Sequence, residues 1–158
     1  MRKIQFLLVV ILFATVSQAQ ILKPVKWSFS AAAVKGKAGV YKVSMTAVVD
    51  KGWHIYAQNT PDGGPSATKV TFTKNPLVLL GGKTTEVGKL HKEHSKEFGV
   101  DVLSYSDKVE FVQVVKVKIL RKALNDKNVV LKGTVEFMAC DESQCLPPAA
   151  VGFEIELK

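Results

Sequence analysis

The chain has 158 residues, 47% hydrophobic and 23% charged, with a formal charge of +8 and two cysteines. That length suits one domain with its own apolar core, which argues against disorder and against a dense disulfide framework; two cysteines also cannot build a four-cysteine zinc site or a cysteine-ligated iron–sulfur cluster. The positive excess is lysine scattered along the chain, and beyond residue 2 the sole arginine is Arg121, so the guanidinium forks that read bases are nearly missing and no nucleic-acid partner is expected.

The first residues read as an export signal. Arg2 and Lys3 precede the apolar run Phe6–Val16, and Ser17-Gln18-Ala19 offers small residues at the −3 and −1 positions of a signal-peptidase site. Eleven apolar residues fall short of the about 20 needed to span a bilayer, which leaves an uncleaved anchor as the alternative. No cysteine follows the run to carry a lipid. The expectation is a signal peptide over residues 1–19 and a single exported, soluble, monomeric domain over 20–158, which is 139 residues with a charge of +6.

From there the dominant period is two. Val25–Ala32 is a candidate strand, and in Val40–Asp50 the residues Tyr41, Val43, Met45, Ala47 and Val49 alternate with Lys42, Ser44 and Thr46. Trp53–Tyr56, Ala67–Thr73, Val78–Leu80 and Val102–Tyr105 are shorter candidates, followed by Val109–Ile119, Val129–Met138 and Val151–Leu157. Turn chemistry separates them at Lys35–Gly39, Pro61–Pro65, Gly81-Gly82 and Asn125–Asn128. Glu86–Val100, polar and without clean periodicity, reads as a loop long enough to be functional. Seven to nine short strands without an amphipathic helix predict an all-β, antiparallel sandwich. Trp27, Trp53, Phe72 and Phe111 are expected in its core.

Cys140 and Cys145 lie just after a predicted strand with four residues between them, close enough for a turn to join their sulfurs. One reading is a structural staple. Closing so short a loop is worth about 2 kcal/mol, against nearly 5 for a hundred-residue loop, so redox work competes with that reading on even terms. Asp141 and Glu142 beside Cys140 disfavour a thiolate, and Pro147-Pro148 stiffens the exit from the loop.

The segment Phe137-Met138-Ala139-Cys140, its acidic loop and Cys145-Leu146-Pro147-Pro148 resembles the N-terminal periplasmic domain of the thiol–disulfide interchange protein DsbD, also known as the disulfide bond corrector domain. Gly52-Trp53-His54-Ile55-Tyr56 is similar to that family's glycine–aromatic–x–aliphatic–tyrosine strand, and Glu97-Phe98-Gly99 to the tip of its cap loop. The resemblance runs from about Val25 to Leu157. It implies a periplasmic, immunoglobulin-like sandwich with a redox-active cysteine hairpin. Such a domain takes electrons from a membrane-embedded dithiol transporter and passes them to thioredoxin-fold oxidoreductases, including those of cytochrome c maturation. By position Cys145 matches the cysteine that forms mixed disulfides, Cys140 the resolving cysteine, Phe98 the capping phenylalanine and Tyr56 an active-site tyrosine. His54 stands where the family often has a second tyrosine. The resemblance requires no dissociable cofactor, and with the chain stopping at Lys158 it implies that the electron donor is a separate protein.

Three other readings compete. In His91-Lys92-Glu93-His94-Ser95-Lys96-Glu97 a helix would bring both histidines and both glutamates toward one face, and copper or zinc could then be held with the cysteines, although no apolar face supports a helix there. A cysteine protease needs an activated thiolate, which the acidic surroundings of Cys140 oppose. The chief alternative is a non-enzymatic binding or scaffold module with a structural disulfide.

Overall fold

The computed structural model describes residues 22–96, 98–118 and 129–158. The proposed signal segment, Glu97, Arg121 and the Asn125–Asn128 turn lie outside them. The described residues form nine strands and no helix: β1 (Val25–Ala33), β2 (Val40–Val49), β3 (His54–Tyr56), β4 (Lys69–Phe72), β5 (Val78–Ser95), β6 (Val100–Val117), β7 (Val129–Phe137), β8 (Ala139–Cys140) and β9 (Ala149–Leu157).

All pairings are antiparallel. One sheet runs β1-β2-β6-β3-β8 with β5 along the other side of β6, and the second runs β4-β7-β9. The fold is an immunoglobulin-like sandwich. Alternation builds its interior, because side chains two apart on a strand share a face. Val43, Met45 and Ala47 of β2 and Val109, Phe111 and Val115 of β6 are fully buried. They meet Leu131, Val135 and Phe137 of β7 and Phe153, Ile155 and Leu157 of β9 in one core. Burying each large apolar side chain is worth about 1.5–3 kcal/mol. The expected aromatic core is present: Trp27 lies 5.8 Å from Phe111 and 5.3 Å from Phe137, while Phe72 meets Phe153 edge-on at 5.8 Å.

Two sequence expectations fail at β5. Glu86–Val100 is not a loop: residues up to Ser95 belong to an 18-residue strand, and Val100 begins its partner. Gly81-Gly82 is not a turn between strands but the place where the β5–β6 register shifts. Gly82 has φ +75°, a conformation that favours glycine. The irregularity is held from inside by Gln113, 2% exposed between Phe111 and Val115. Its Nε2 donates to the carbonyls of Gly81 and Val114 at 3.3 and 2.9 Å, and its Oε1 accepts from Thr84 Oγ1 at 2.9 Å.

The predicted strands Val102–Tyr105 and Val109–Ile119 are likewise one strand, β6, as far as Val117. It changes neighbours midway, pairing β3 at Ser104 and Tyr105 and β2 from Lys108 onward. Between them Asp107 adopts φ +62°, which aspartate tolerates better than most residues. This switch carries β6 past the end of β2 and gives β3 and β8 a place in the sheet.

Candidate functional site

β8 pairs with β3 so that Cys140 lies opposite His54 and Ala139 opposite Ile55. Ala139 and Ile55 point into the sandwich core. Their neighbours in sequence therefore point out of the opposite face, where Cys140 and Tyr56 are buried with Val102 of β6 in a second, small apolar cluster with Val100 and Met138 around it. On the same outward face β5 contributes His91, Glu93 and Ser95, opposite Ser104, Val102 and Val100.

After Cys140 the chain reverses through Asp141–Gln144, and Cys145 pairs back against Cys140. Asp141 builds the turn. Its Oδ1 accepts hydrogen bonds from Ser143 N, Ser143 Oγ and Gln144 N, each 2.8 Å, and its own N–H donates to Gln144 O at 2.9 Å. The bonds from Ser143, its backbone N–H first, hold the Asp141 carboxyl below its ordinary pKa. Leu146 N–H donates to Ala139 O at 2.9 Å and closes the hairpin.

Cys140 and Cys145 are joined in a disulfide. Their exposures differ sharply: Cys140 is 1% exposed, whereas Cys145 lies on the surface. An open cavity of about 830 Å³ lies over the pair. The described residues singled out from the sequence for the redox site line it: Cys140, Cys145, Phe98, Tyr56, His54, Asp141 and Glu142. Phe98 projects from the tip of the β5–β6 hairpin, 44% exposed. The tip is a tight turn in which Gly99 N–H donates to Ser95 O at 2.8 Å and Gly99 takes φ +67°. The cap expected as a long loop is thus the end of a two-stranded arm, with Glu97 outside the described residues.

His54 Nε2 and the Tyr56 hydroxyl are 3.0 Å apart. Burial pushes the His54 pKa down, and the negative charges of Glu93 and Asp141 partly oppose that shift.

The strand period undoes the helical ligand cluster. His91 and Glu93 face the cavity, but His94 does not line it and sits against Asp101, with Nδ1 3.0 Å from Oδ1. No group of three or more histidine, cysteine, aspartate or glutamate side chains fit to hold a metal occurs among the described residues. His91, Glu93, Ser104 and Ser106 line the cavity without having been singled out for redox work. Their signal was the two-residue alternation of β5 and β6, legible only once the register was known.

Fold and site together define an all-β domain carrying a half-exposed disulfide on a surface hairpin. The chain belongs to the family of the N-terminal domain of the thiol:disulfide interchange protein DsbD, whose family model matches residues 18–156. Membership ties it to thiol–disulfide interchange in general. Among solved structures it is similar to the N-terminal periplasmic domain of ScsB from Proteus mirabilis, at 14% identity and a TM-score of 0.50. The match covers 87% of this chain and 49% of that one, so the chain spans about half the length of that structure, and the likeness concerns the fold. No curated protein matches the chain.

Proposed function

We propose that the protein is an exported dithiol/disulfide electron carrier that reduces thioredoxin-fold partners in the periplasm and is itself recharged by a membrane-embedded dithiol transporter. The observation that carries this reading is the asymmetry of the pair. Cys145 is exposed on a surface hairpin, whereas Cys140 is buried beneath it and outside the sandwich core. A structural staple gains nothing from one accessible end, whereas exchange needs one sulfur open to a partner.

In the reduced state the Cys145 thiolate attacks a partner disulfide and forms a mixed disulfide. Cys140 then attacks Cys145, the interprotein bond breaks and the partner leaves as a dithiol. The cysteines carry both electrons, so no further cofactor takes part. Asp141 and Glu142 oppose thiolate formation and slow reaction with chance disulfides. Phe98 covers the cavity until a partner displaces the hairpin tip.

The test is a trap. Cys140→Ala leaves Cys145 able to attack but removes the resolving thiol, so a covalent complex with a thioredoxin-fold protein accumulates in periplasmic extracts and is released by reductant. Cys145→Ala gives none. Equal trapping by both variants, or by neither, refutes the carrier.

A further inference from the structure

Resolution of the mixed disulfide sets a problem that the cysteines alone do not solve. Cys140 must lose its proton to attack, yet it is 1% exposed and lies next to two carboxylates. Burial and negative charge both favour the neutral thiol. A base inside the site is required.

The titratable groups lining the cavity besides the cysteines are His54 and Tyr56 on β3, His91 and Glu93 on β5, and Asp141 and Glu142 on the hairpin. Carboxylates are ordinarily weaker bases than a thiolate by about 4 pKa units, and a tyrosine must first lose its own proton near pH 10. Asp141 Oδ1 is further engaged by three hydrogen bonds. His91 lies on β5, separated from β8 by β6 and β3. At about 4.8 Å per strand this is roughly 14 Å. His54 is the direct cross-strand partner of Cys140, so the two side chains leave the same face of adjacent strands.

We propose that His54, oriented by its hydrogen bond to Tyr56, is the base that takes the Cys140 proton when Cys140 resolves the mixed disulfide, and the acid that returns it when the pair is recharged. The proposal rests on the carrier reading. In discharge, Cys140 gives its proton to the imidazole and its electron pair to a new bond with Cys145. The Cys145–partner bond breaks, and the partner sulfur departs as a thiolate that is then protonated, so the carrier is oxidised and the partner reduced. In recharging, a donor thiolate attacks Cys145 and forms a donor–Cys145 disulfide as the Cys140–Cys145 bond breaks. Cys140 leaves as a thiolate and is protonated by His54, which replaces that proton from water, and the donor's second thiol then releases Cys145 as the donor's own disulfide closes. The lowered pKa of His54 keeps it in the basic form at neutral pH.

The experiment separates two steps. The reduced protein reacts with glutathione disulfide, acid quenching and mass spectrometry follow the mixed disulfide, and its formation and resolution are timed between pH 6 and pH 10. His54→Gln keeps an amide for Tyr56 but cannot accept a proton; His54→Asn carries the same test should the first variant not fold. General-base catalysis typically contributes about 10²-fold or more, so resolution is expected to slow at least about tenfold at pH 7, with formation changed less than about twofold. The deficit narrows toward pH 10, as hydroxide increasingly takes over removal of the proton. Wild-type resolution at pH 7 in the variant, or equal slowing at pH 7 and pH 10, overturns the proposal and leaves the carrier standing. If the wild-type protein forms no mixed disulfide at any pH, the carrier reading itself falls, and His54 with it.

Discussion

A carrier must stay folded in both redox states, and the hairpin allows the size of that requirement to be worked out. The cysteines are five apart in sequence. Closing so small a loop restricts the unfolded chain by about 2 kcal/mol. Reduction removes that constraint and little else, because the turn is independently held by the Asp141 hydrogen bonds and the Leu146–Ala139 bond. A domain of this size has an unfolding entropy near 0.3 kcal/mol per kelvin, so reduction is expected to lower Tm by about 7 °C. By the same cycle the fold makes the bond only about 45 mV harder to reduce than it is in the unfolded chain. Circular dichroism melts with and without a phosphine reductant measure the shift directly. A drop above about 20 °C, or unfolding at room temperature on reduction, would show that the bond holds the domain together and would refute the reasoning.

Phe98→Ala uncovers the cavity, so reduction of the oxidised protein by dithiothreitol should accelerate; a threefold rise corresponds to about 0.7 kcal/mol of barrier, and an unchanged rate means that Phe98 caps nothing. Gly133→Ala is expected to cost about 1–3 kcal/mol in denaturant titration, because a methyl group there comes within 2.5 Å of the Thr71 carbonyl oxygen and 2.9 Å of Phe153 Cε1. Tyr105 donates to Glu86 Oε2 at 2.9 Å, and burial first, then this bond, raises its pKa above the ordinary 10. The unfolded chain therefore loses that proton first as pH rises, and the stability present below pH 10 should decline above it, less steeply in Tyr105→Phe. His54 has the opposite sense: its folded pKa is lowered, so the unfolded state binds the proton first and stability should fall as pH drops below about 6.5. Denaturant midpoints from pH 8 to pH 5 should show that slope shrink in His54→Gln.

The strands that line the core were legible because one of their faces is buried. Val43, Met45 and Ala47, or Phe153, Ile155 and Leu157, alternate with polar neighbours for that reason alone. β5 was not legible. It is an edge strand with nearly every residue exposed, including Leu79, Leu80, Val87 and Leu90, so no alternation distinguishes its faces. Its lysines and histidines suit an edge that must avoid pairing with other chains, yet in sequence they look like a loop. Gly81-Gly82 misled for a related reason, since the glycines that make a turn also make a register shift. At the site, the cysteine pair and its acidic turn stood out in sequence, whereas Phe98, Tyr56 and His54 stood out only through the family likeness. That His91 and Glu93 share the cavity while His94 does not depends on pairing register, which a single strand does not encode.

The outward placement of the small cluster of Tyr56, Val102 and Cys140 bears on how such domains diversify. Ile55 and Ala139, their neighbours in sequence, belong to the other face of the same sheet and to the main core. Exchanges on the cavity side therefore leave the packing of the interior untouched. Partner preference can drift by substitutions at Ser104, Ser106 or Phe98 while the sandwich beneath remains under its own, separate selection for stability.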